Sequence, residues 1–306
     1  MLDLTLPPAE SVGLIETPLM HETAHKTLLA VRAGGLSVWV GRARIGKTST
    51  GQWMQRELER GGQGAAPTED QFRALYFQVG EVRSNSGNQQ KQGLRSLYAQ
   101  VMRVPLPQSM YKSYPAEALA EVIVRALIRK RIRLILVDEA GCMSLDAIRG
   151  MVLTSDVAKS QGWNASFAFI GMDDLPVKIE QLPQISGRVH SWCFFEEYGL
   201  EDTAKLLAHL HPHFRRATCD VGEEIAFIHK HIGGYPGRLV PFLNHVDMRA
   251  RELDQPIDLS VICVAHECMK RDRGRALEEA GRGYRALAGG LAKVAAHGRR
   301  GQAEGG

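Results

Sequence analysis

A phosphate-binding loop is predicted near residue 41, where two glycines stand five positions apart and a lysine follows the second. The stretch Gly41-x-x-x-x-Gly46-Lys47-Thr48 matches G-x-x-x-x-G-K-[ST], in which backbone N–H groups and a helix N-terminus surround phosphate oxygens. In this pattern the lysine reaches the β- and γ-phosphates, and the threonine hydroxyl is a ligand of Mg²⁺. The residues predicted to contact the nucleotide are Gly41, Arg42, Ala43, Arg44, Ile45, Gly46, Lys47, Thr48 and Ser49.

A second chemical motif is the pair Asp138–Glu139, which directly follows the apolar run "LILV". A carboxylate at the end of a buried strand carries a desolvation cost unless it is paired or binds a metal ion. We predict that Asp138 binds Mg²⁺ through water, with Thr48 as the other metal-binding residue, and that Glu139 orients and polarises an attacking water molecule. The pair therefore favours hydrolysis of the nucleotide over phosphate transfer to a small molecule. A helix-capping Asp-Glu pair is the alternative interpretation.

The two motifs require elements that bring them together. Positions 37–40 form a short apolar run before the first glycine, and the residues from 47 onwards have helix-forming composition, so the loop is predicted to join a strand to a helix. Further apolar runs at 74–79, 132–137, 166–171 and 191–195 alternate with predicted helices, among them 114–131 and 145–160. Strands that alternate with helices predict a parallel sheet with right-handed crossovers, so the expected fold class is α/β.

The apolar strands stop near residue 200, and four stretches with helical patterns follow. We therefore divide the chain into an N-terminal segment with a linker helix (1–36), an α/β domain (37–199), a helical lid (200–268) and a basic tail (269–306). The net charge of +4 comes from the tail, where nine Lys/Arg residues outnumber four acidic residues between 270 and 306. Such a tail is either an electrostatic arm for nucleic acid or a solvated end of the chain.

Composition argues against several classes of protein. The hydrophobic fraction of 44% and the charged fraction of 24% are those of an ordinary globular protein. No apolar run approaches the roughly 20 residues of a membrane helix. Acidic residues occur in the first thirty positions, where a signal peptide is basic and then apolar. We therefore expect a cytoplasmic protein with no membrane partner.

Cysteine and histidine patterns give little support for a metal site. The five cysteines contain no C-x-x-C pair, which argues against a disulfide framework and against a zinc ribbon. One cluster places ligand-type side chains close together, and surface histidines in a turn are favoured over a metal site for it: His209, His211, His213 and Cys219.

Taken together, the motifs resemble those of AAA+ ATPases. The chain has a phosphate loop, a D-E pair about ninety residues later, an apolar strand that ends in "IGMDDL", an arginine near a later strand, and "GGYPGR" in its helical C-terminal part. The resemblance implies a P-loop AAA+ domain, with a central parallel sheet flanked by helices, followed by a small all-helical lid. It also implies ATP and Mg²⁺ as cofactors and ATP hydrolysis as the activity.

The resemblance also implies roles for three residues outside the two motifs. Asp173 falls where the family places a polar sensor of the γ-phosphate or the water, although Asn, Thr or Ser is common there. Arg188 in "ISGRVH" is positioned like an arginine supplied to a neighbouring subunit's ATP; a surface arginine is the alternative, and Arg215 and Arg216 are the next candidates. Arg238 in "GGYPGR" resembles the sensor arginine of the lid.

Within the AAA+ superfamily, "GLRSLYAQVMRVPLP" and the segment from "YPAEALAEV" to "LILVDEA" resemble DNA-transposition regulators of the TniB, TnsC and MuB type, from about residue 15 to 268. This resemblance implies a homo-oligomeric ring or helical filament that binds duplex DNA through phosphates without reading bases. It further implies a transposase and a target-selection protein as partners. The DNA-binding candidates lie in regions that face the bore of such assemblies, and a solvated basic face is the alternative: Lys91, Arg95, Arg103 and Arg149.

A second function class remains open at this point. Secretion-associated ATPases and replication-initiator-type loaders share the same layout of motifs, and they are AAA+ switches that act on protein partners. A signalling NTPase is a third, weaker interpretation. Stimulation of ATP hydrolysis by duplex DNA would separate the first two classes.

Overall fold

The computed structural model describes residues 17–60, 72–79, 89–215 and 219–272. The chain forms two units, Met1–Glu197 and Tyr198–Gly306. Several predicted features lie outside the described residues: most of the basic tail, the polar stretch 80–88, and Arg216. The hypotheses about these positions therefore stay predictions.

A five-stranded sheet forms the centre of the first unit. Its strands are β1 (Leu36–Gly41), β2 (Arg73–Gln78), β3 (Ile132–Asp138), β4 (Ser166–Gly171) and β5 (Val189–Phe195). All neighbouring strands are parallel, and the strand order is β2-β3-β4-β1-β5. The three inner strands are buried along nearly their whole length, whereas the edge strands β2 and β5 are partly exposed. The continuous apolar runs of the sequence are those of strands covered on both faces.

The helices of the first unit connect and cover these strands. They are α1 (Pro18–Ala33), α2 (Lys47–Arg60), α3 (Gln89–Met102), α4 (Gln108–Ser113), α5 (Ala116–Arg129), α6 (Leu145–Ser160), α7 (Leu175–Glu180) and α8 (Pro183–Ser186). The chain passes from β1 to the far edge at β2 and then returns through β3 to β4. Right-handed crossovers therefore put α2 on one face of the sheet and α5 and α6 on the other.

The larger part of the apolar core lies between the sheet and helices α3, α5 and α6. Alternate residues of each strand point to the same face, and on this face Val38, Val137 and Phe169 are fully buried. The opposite face carries a polar network beneath α1. There the indole Nε1 of Trp39 donates to Thr27 at 3.0 Å and to Ser37 at 3.1 Å. Helix α1 thus packs on the sheet of the first unit.

Helices α3 and α6 cross at very short range. A β-carbon at Gly93 would lie 2.1 Å from the carbonyl oxygen of Ala147, so no larger residue could occupy this position without displacing one helix. The crossing brings together the two helices that carry the basic residues Arg95 and Arg149.

The second unit is helical throughout its described part. It contains α9 (Leu200–Leu210), a 3₁₀ turn (Pro212–Arg215), α10 (Cys219–Ile232), α11 (Pro236–Leu253) and a helical stretch at 259–272. None of the described helices in either unit is long and apolar enough to cross a membrane.

Two histidines at the start of the 3₁₀ turn, His211 just before it and His213 within it, lie against acidic side chains. His211 Nε2 lies 3.0 Å from Asp247 Oδ1, and His213 Nε2 lies 2.5 Å from the buried carboxylate of Glu224. Among the described residues, no group of three or more His, Cys, Asp or Glu side chains could hold a metal ion. These contacts favour a structural role for His211 and His213.

Candidate functional site

The loop between β1 and α2 has the backbone shape that its two glycines permit. Gly46 has a φ of 107°, which is open to glycine but strained for other residues, and α2 begins at the next position. A β-carbon at Gly41 would lie 2.6 Å from the carbonyl oxygen of Phe195 on β5, so the glycine also allows the close approach of these strands. Arg44 takes up a φ of 65° and completes the turn.

Lys47 folds back over this loop. Its Nζ donates to the carbonyl oxygen of Gly41 at 2.5 Å and to that of Arg42 at 2.8 Å, and its side chain is buried. Both acceptors are neutral, so an anionic phosphate oxygen would be a stronger partner for the ammonium group. The lysine is therefore held at the place where a bound phosphate chain would meet it.

The charge balance around Lys47 favours an additional cation. Burial lowers the pKa of Lys47 from its ordinary value of 10.5. Three nearby carboxylates oppose this shift, namely those of Asp138, Glu139 and Asp173. The excess of acidic groups suits a site where a divalent cation joins an anionic nucleotide.

Asp138 is the most thoroughly bonded carboxylate of the site. It ends β3 and is 1% exposed. Its Oδ2 accepts a hydrogen bond from Thr48 Oγ1 at 2.6 Å and one from the Tyr76 hydroxyl at 2.6 Å, while Oδ1 accepts one from the backbone N–H of Glu139 at 2.9 Å. The two residues predicted to bind the metal, Thr48 and Asp138, are thus in direct contact. Their hard oxygen donors fit Mg²⁺, which prefers such ligands.

Tyr76 is the member of this cluster that sequence reasoning missed. The run "ALYFQV" was interpreted only as a buried strand, and the contact with Asp138 depends on β2 and β3 being neighbours in the sheet. Burial, together with the hydrogen bond to Asp138, raises the pKa of Tyr76 above its ordinary value of 10.0. The available signal was a side chain with a polar hydroxyl between the apolar residues Leu75 and Phe77.

Glu139 leaves the strand with a left-handed backbone, at φ 57° and ψ 33°, and a short 3₁₀ turn (Ala140–Cys142) follows. This conformation is uncommon for a residue other than glycine, and the surrounding structure supports it. Lys178 of α7 donates to the carbonyl oxygens of Gly141 and Met143, the latter at 2.9 Å. The segment after the acidic pair is therefore tied to α7, a contact that no local sequence pattern indicates.

Asp173 is exposed just after the end of β4. β4 lies between β1 and β3, and the three strands are parallel. Asp173 is therefore at the carboxyl end of the strands, as are the loop and the acidic pair. The charge of Asp173 also acts on Lys47. The structure places the residue within electrostatic range of the site, and its sensor role stays a prediction.

Arg188 lies at the opposite end of the strands, where β1 and β5 begin. It immediately precedes β5, its carbonyl oxygen accepts a hydrogen bond from Leu36 N at the start of β1, and its guanidinium forms an ion pair with Asp156. The phosphate loop follows the other end of β1, and six strand residues span roughly 20 Å. Arg188 is therefore remote from its own loop. Its role toward another subunit stays a prediction, and the ion pair with Asp156 also fits the alternative of a surface arginine.

Arg238 belongs to the second unit, near the start of α11. Its exposed guanidinium lies 4.5 Å from the centre of the Tyr235 ring. This cation–π contact holds the side chain on its own unit. The predicted contact of Arg238 with the nucleotide stays a prediction.

The predicted DNA-binding residues are grouped only in part. Lys91 Nζ donates to the backbone carbonyl oxygen of Tyr111 at 3.1 Å, and the guanidinium carbon of Arg95 lies over the Tyr111 ring, 5.6 Å from its centre. Arg149 is exposed on α6 and pairs with its neighbour Asp146. Arg103 is exposed beyond the end of α3, roughly 12 Å along the helix axis from Arg95.

Comparison with known proteins identifies the fold. No protein-family model matches the sequence, and no curated protein matches it either. Solved structures do match: the Aeropyrum pernix ORC2 protein in ADPNP–ADP complexes has a TM-score of 0.59 at 13% identity, over 81% of this chain and 66% of that chain. The chain thus spans slightly less than two thirds of ORC2.

Two further solved structures are similar to this chain. The Aeropyrum pernix ORC1 protein in complex with DNA has a TM-score of 0.53 at 15% identity, over 87% of this chain and 69% of that one. Domain III of the Thermotoga maritima replication initiation protein DnaA has a TM-score of 0.51 at 13% identity, over 83% of this chain and 92% of that one. The predicted fold class is confirmed: the chain has the fold of AAA+ P-loop ATPases, with a central parallel sheet flanked by helices.

Proposed function

We propose that this protein is an ATP-dependent, DNA-binding AAA+ regulator of DNA transposition, which oligomerises on duplex DNA and recruits or activates a transposase there. One observation supports the proposed ATP hydrolysis: Lys47, Thr48 and Asp138 converge at the carboxyl ends of the strands. There Thr48 Oγ1 lies 2.6 Å from Asp138 Oδ2. These groups come from the start of α2 and the end of β3, and together they match the needs of a bound nucleoside triphosphate.

The residues divide the work of hydrolysis among them. With a nucleotide bound, Lys47 would pair with the β- and γ-phosphates, and the loop N–H groups would bind the phosphate oxygens. Thr48, and Asp138 through water, would hold Mg²⁺, which would supply positive charge to neutralise the phosphates. Glu139 accepts a hydrogen bond from the attacking water and orients it toward the γ-phosphate.

The DNA-binding part rests on the basic residues of α3 and α6. Lys91 and Arg95 are gathered around Tyr111, and the close crossing at Gly93 brings Arg149's helix alongside. Lysine and arginine contacts to phosphates give sequence-tolerant, salt-sensitive binding. A structure with a similar fold, that of ORC1, was solved in complex with DNA.

The assignment to transposition rests on the resemblance of the segment between β2 and β3 to regulators of the TniB, TnsC and MuB type. In this proposal a transposase and a target-selection protein are the partners. The basic tail after residue 269 adds positive charge for the same DNA.

We expect duplex DNA to stimulate ATP turnover, since DNA phosphates align neighbouring subunits. The double substitution Arg95→Glu/Arg149→Glu should reduce the slope of log affinity against log salt concentration by about 2, one for each lost phosphate contact. Fluorescence anisotropy with labelled duplexes of two unrelated sequences measures this slope.

The matched control is Lys26→Glu/Lys205→Glu, which changes the net charge equally on two exposed helix faces outside α3 and α6. Equal losses in both double variants would show that only overall charge matters. Turnover that does not respond to DNA would favour a switch that acts on protein partners.

Lys47→Ala should abolish nucleotide binding, because the alanine removes the ammonium group that faces the phosphates. Equilibrium binding of a fluorescent ATP derivative measures the loss. Lys159→Ala, which removes an exposed lysine from α6, should bind the derivative like the parent chain. Unchanged affinity in the Lys47 variant would eliminate the phosphate-loop assignment.

Glu139→Gln should bind ATP and assemble as the parent chain does, yet it should lose most of its turnover. The amide keeps the shape of the side chain but is a poor base for polarising water. Phosphate release and size-exclusion chromatography with ATP test the two halves of this expectation. Hydrolysis at the parental rate would remove Glu139 from its proposed role.

Arg188→Ala should bind ATP but hydrolyse it about 10³-fold more slowly, because an arginine supplied in trans stabilises charge in the transition state. Mixing this variant with Lys47→Ala subunits should restore part of the activity, since some interfaces then pair an intact loop with an intact arginine. Asp156→Asn breaks the same ion pair and should remain active. A fully active Arg188→Ala protein would direct attention to Arg215 or Arg216.

A further inference from the structure

The phenol of Tyr76 occupies a place in the site that neither sequence motif supplies. Its hydroxyl donates to Asp138 Oδ2 at 2.6 Å, the same distance at which Thr48 donates to that oxygen. Thr48 belongs to the phosphate loop motif, whereas Tyr76 comes from the edge strand β2. Two donors of different origin thus meet on one carboxylate oxygen.

Three elements cooperate to place this phenol. In the parallel register of β2 and β3, Tyr76 pairs with Leu136, and Gln78 pairs with Asp138, so the tyrosine stands two positions before the acid. Its ring lies against α2, where a β-carbon at Gly51 would be 3.0 Å from two of the ring carbons. An alanine at that point would push on the ring, so the helix leaves room for the tyrosine.

The contact matters because Asp138 is buried and has few free positions for hydrogen bonds. Oδ2 accepts from Thr48 and Tyr76, and Oδ1 accepts from the backbone N–H of Glu139. The backbone bond fixes one oxygen, and the phenol keeps the carboxylate from rotating about its own axis. Without the phenol, only Thr48 would hold the second oxygen, and Thr48 is the group that a metal ion also requires.

We propose that Tyr76 is a positioning residue for the magnesium–nucleotide complex: its hydroxyl holds Asp138 in the orientation that, with Thr48, receives Mg²⁺. This inference rests on the proposed nucleotide site and extends it to the edge strand. Partners that orient a metal-binding carboxylate affect metal affinity by about 10–100-fold. Tyr76 therefore sets the concentration of Mg²⁺ at which the nucleotide binds tightly.

Tyr76→Phe tests this role, since it removes the hydroxyl and keeps the ring. The measurement is the affinity for the N-methylanthraniloyl derivative of AMP-PNP as free Mg²⁺ is raised from zero, in EDTA, to millimolar concentration. We expect the Mg²⁺ concentration for the half-maximal gain in affinity to rise about tenfold or more. Affinity in EDTA should stay as in the parent chain, because Lys47 and the loop are unchanged.

Tyr98→Phe is the matched control, because it removes a hydroxyl from another buried tyrosine, on α3, that does not bond to Asp138. It should leave the magnesium dependence as in the parent chain. Thermal unfolding without metal or nucleotide verifies that both variants fold, and a structural defect alone would lower affinity in EDTA and in Mg²⁺ alike. That parallel loss would overturn the proposal.

The outcomes also separate this inference from the function on which it rests. If the parent chain binds the derivative in a magnesium-dependent manner and Tyr76→Phe has the same half-maximal concentration, only the role of Tyr76 is wrong. If the parent chain fails to bind the derivative, as Lys47→Ala is expected to fail, the nucleotide site itself is wrong and the inference falls with it.

Discussion

The burial of one carboxylate, that of Asp138, is the constraint on which the site depends. Removing a charged group from water costs several kcal/mol unless hydrogen bonds replace the lost hydration. Here the replacements come from Thr48 of α2, Tyr76 of β2 and the backbone of Glu139. Because each donor belongs to a different element, the register of the strands and the start of the helix must all be correct for the charge to be tolerated. The same three hydrogen bonds therefore stabilise the packing of these elements and orient the carboxylate for its proposed chemistry.

The order of the strands explains how the loop and the acid can act on one ligand. β1 carries the loop and β3 carries Asp138, with β4 between them. Two strand spacings separate the ends of β1 and β3 by about 10 Å. The hydrogen bond from Thr48 to Asp138 bridges this separation from the start of α2.

Much of this arrangement could be predicted from the sequence, because the information is local. The glycines of the loop, the apolar run that ends in Asp138, and the helix at 145–160 are all visible as short patterns. The contacts of Tyr76, Lys178 and Arg188 could not be predicted, since each depends on which strands and helices become neighbours. The short helices α4 and α7 were missed for another reason: six residues are too few to show a helical period.

Arg188 and the phosphate loop lie at opposite ends of β1, which bears on the symmetry of any assembly in which the arginine serves a neighbour. Where the subunit that a given arginine serves differs from the subunit that serves its own loop, the contact is heterologous and repeats head to tail, giving a ring when the rotation closes and a helix when it does not. An open helix of this kind has two different ends. The terminal subunit at one end has a loop that no arginine completes, and the terminal subunit at the other end has an arginine with no nucleotide to serve. Growth and loss of subunits would then have a direction, and the nucleotide in the uncompleted loop would be the last to be hydrolysed.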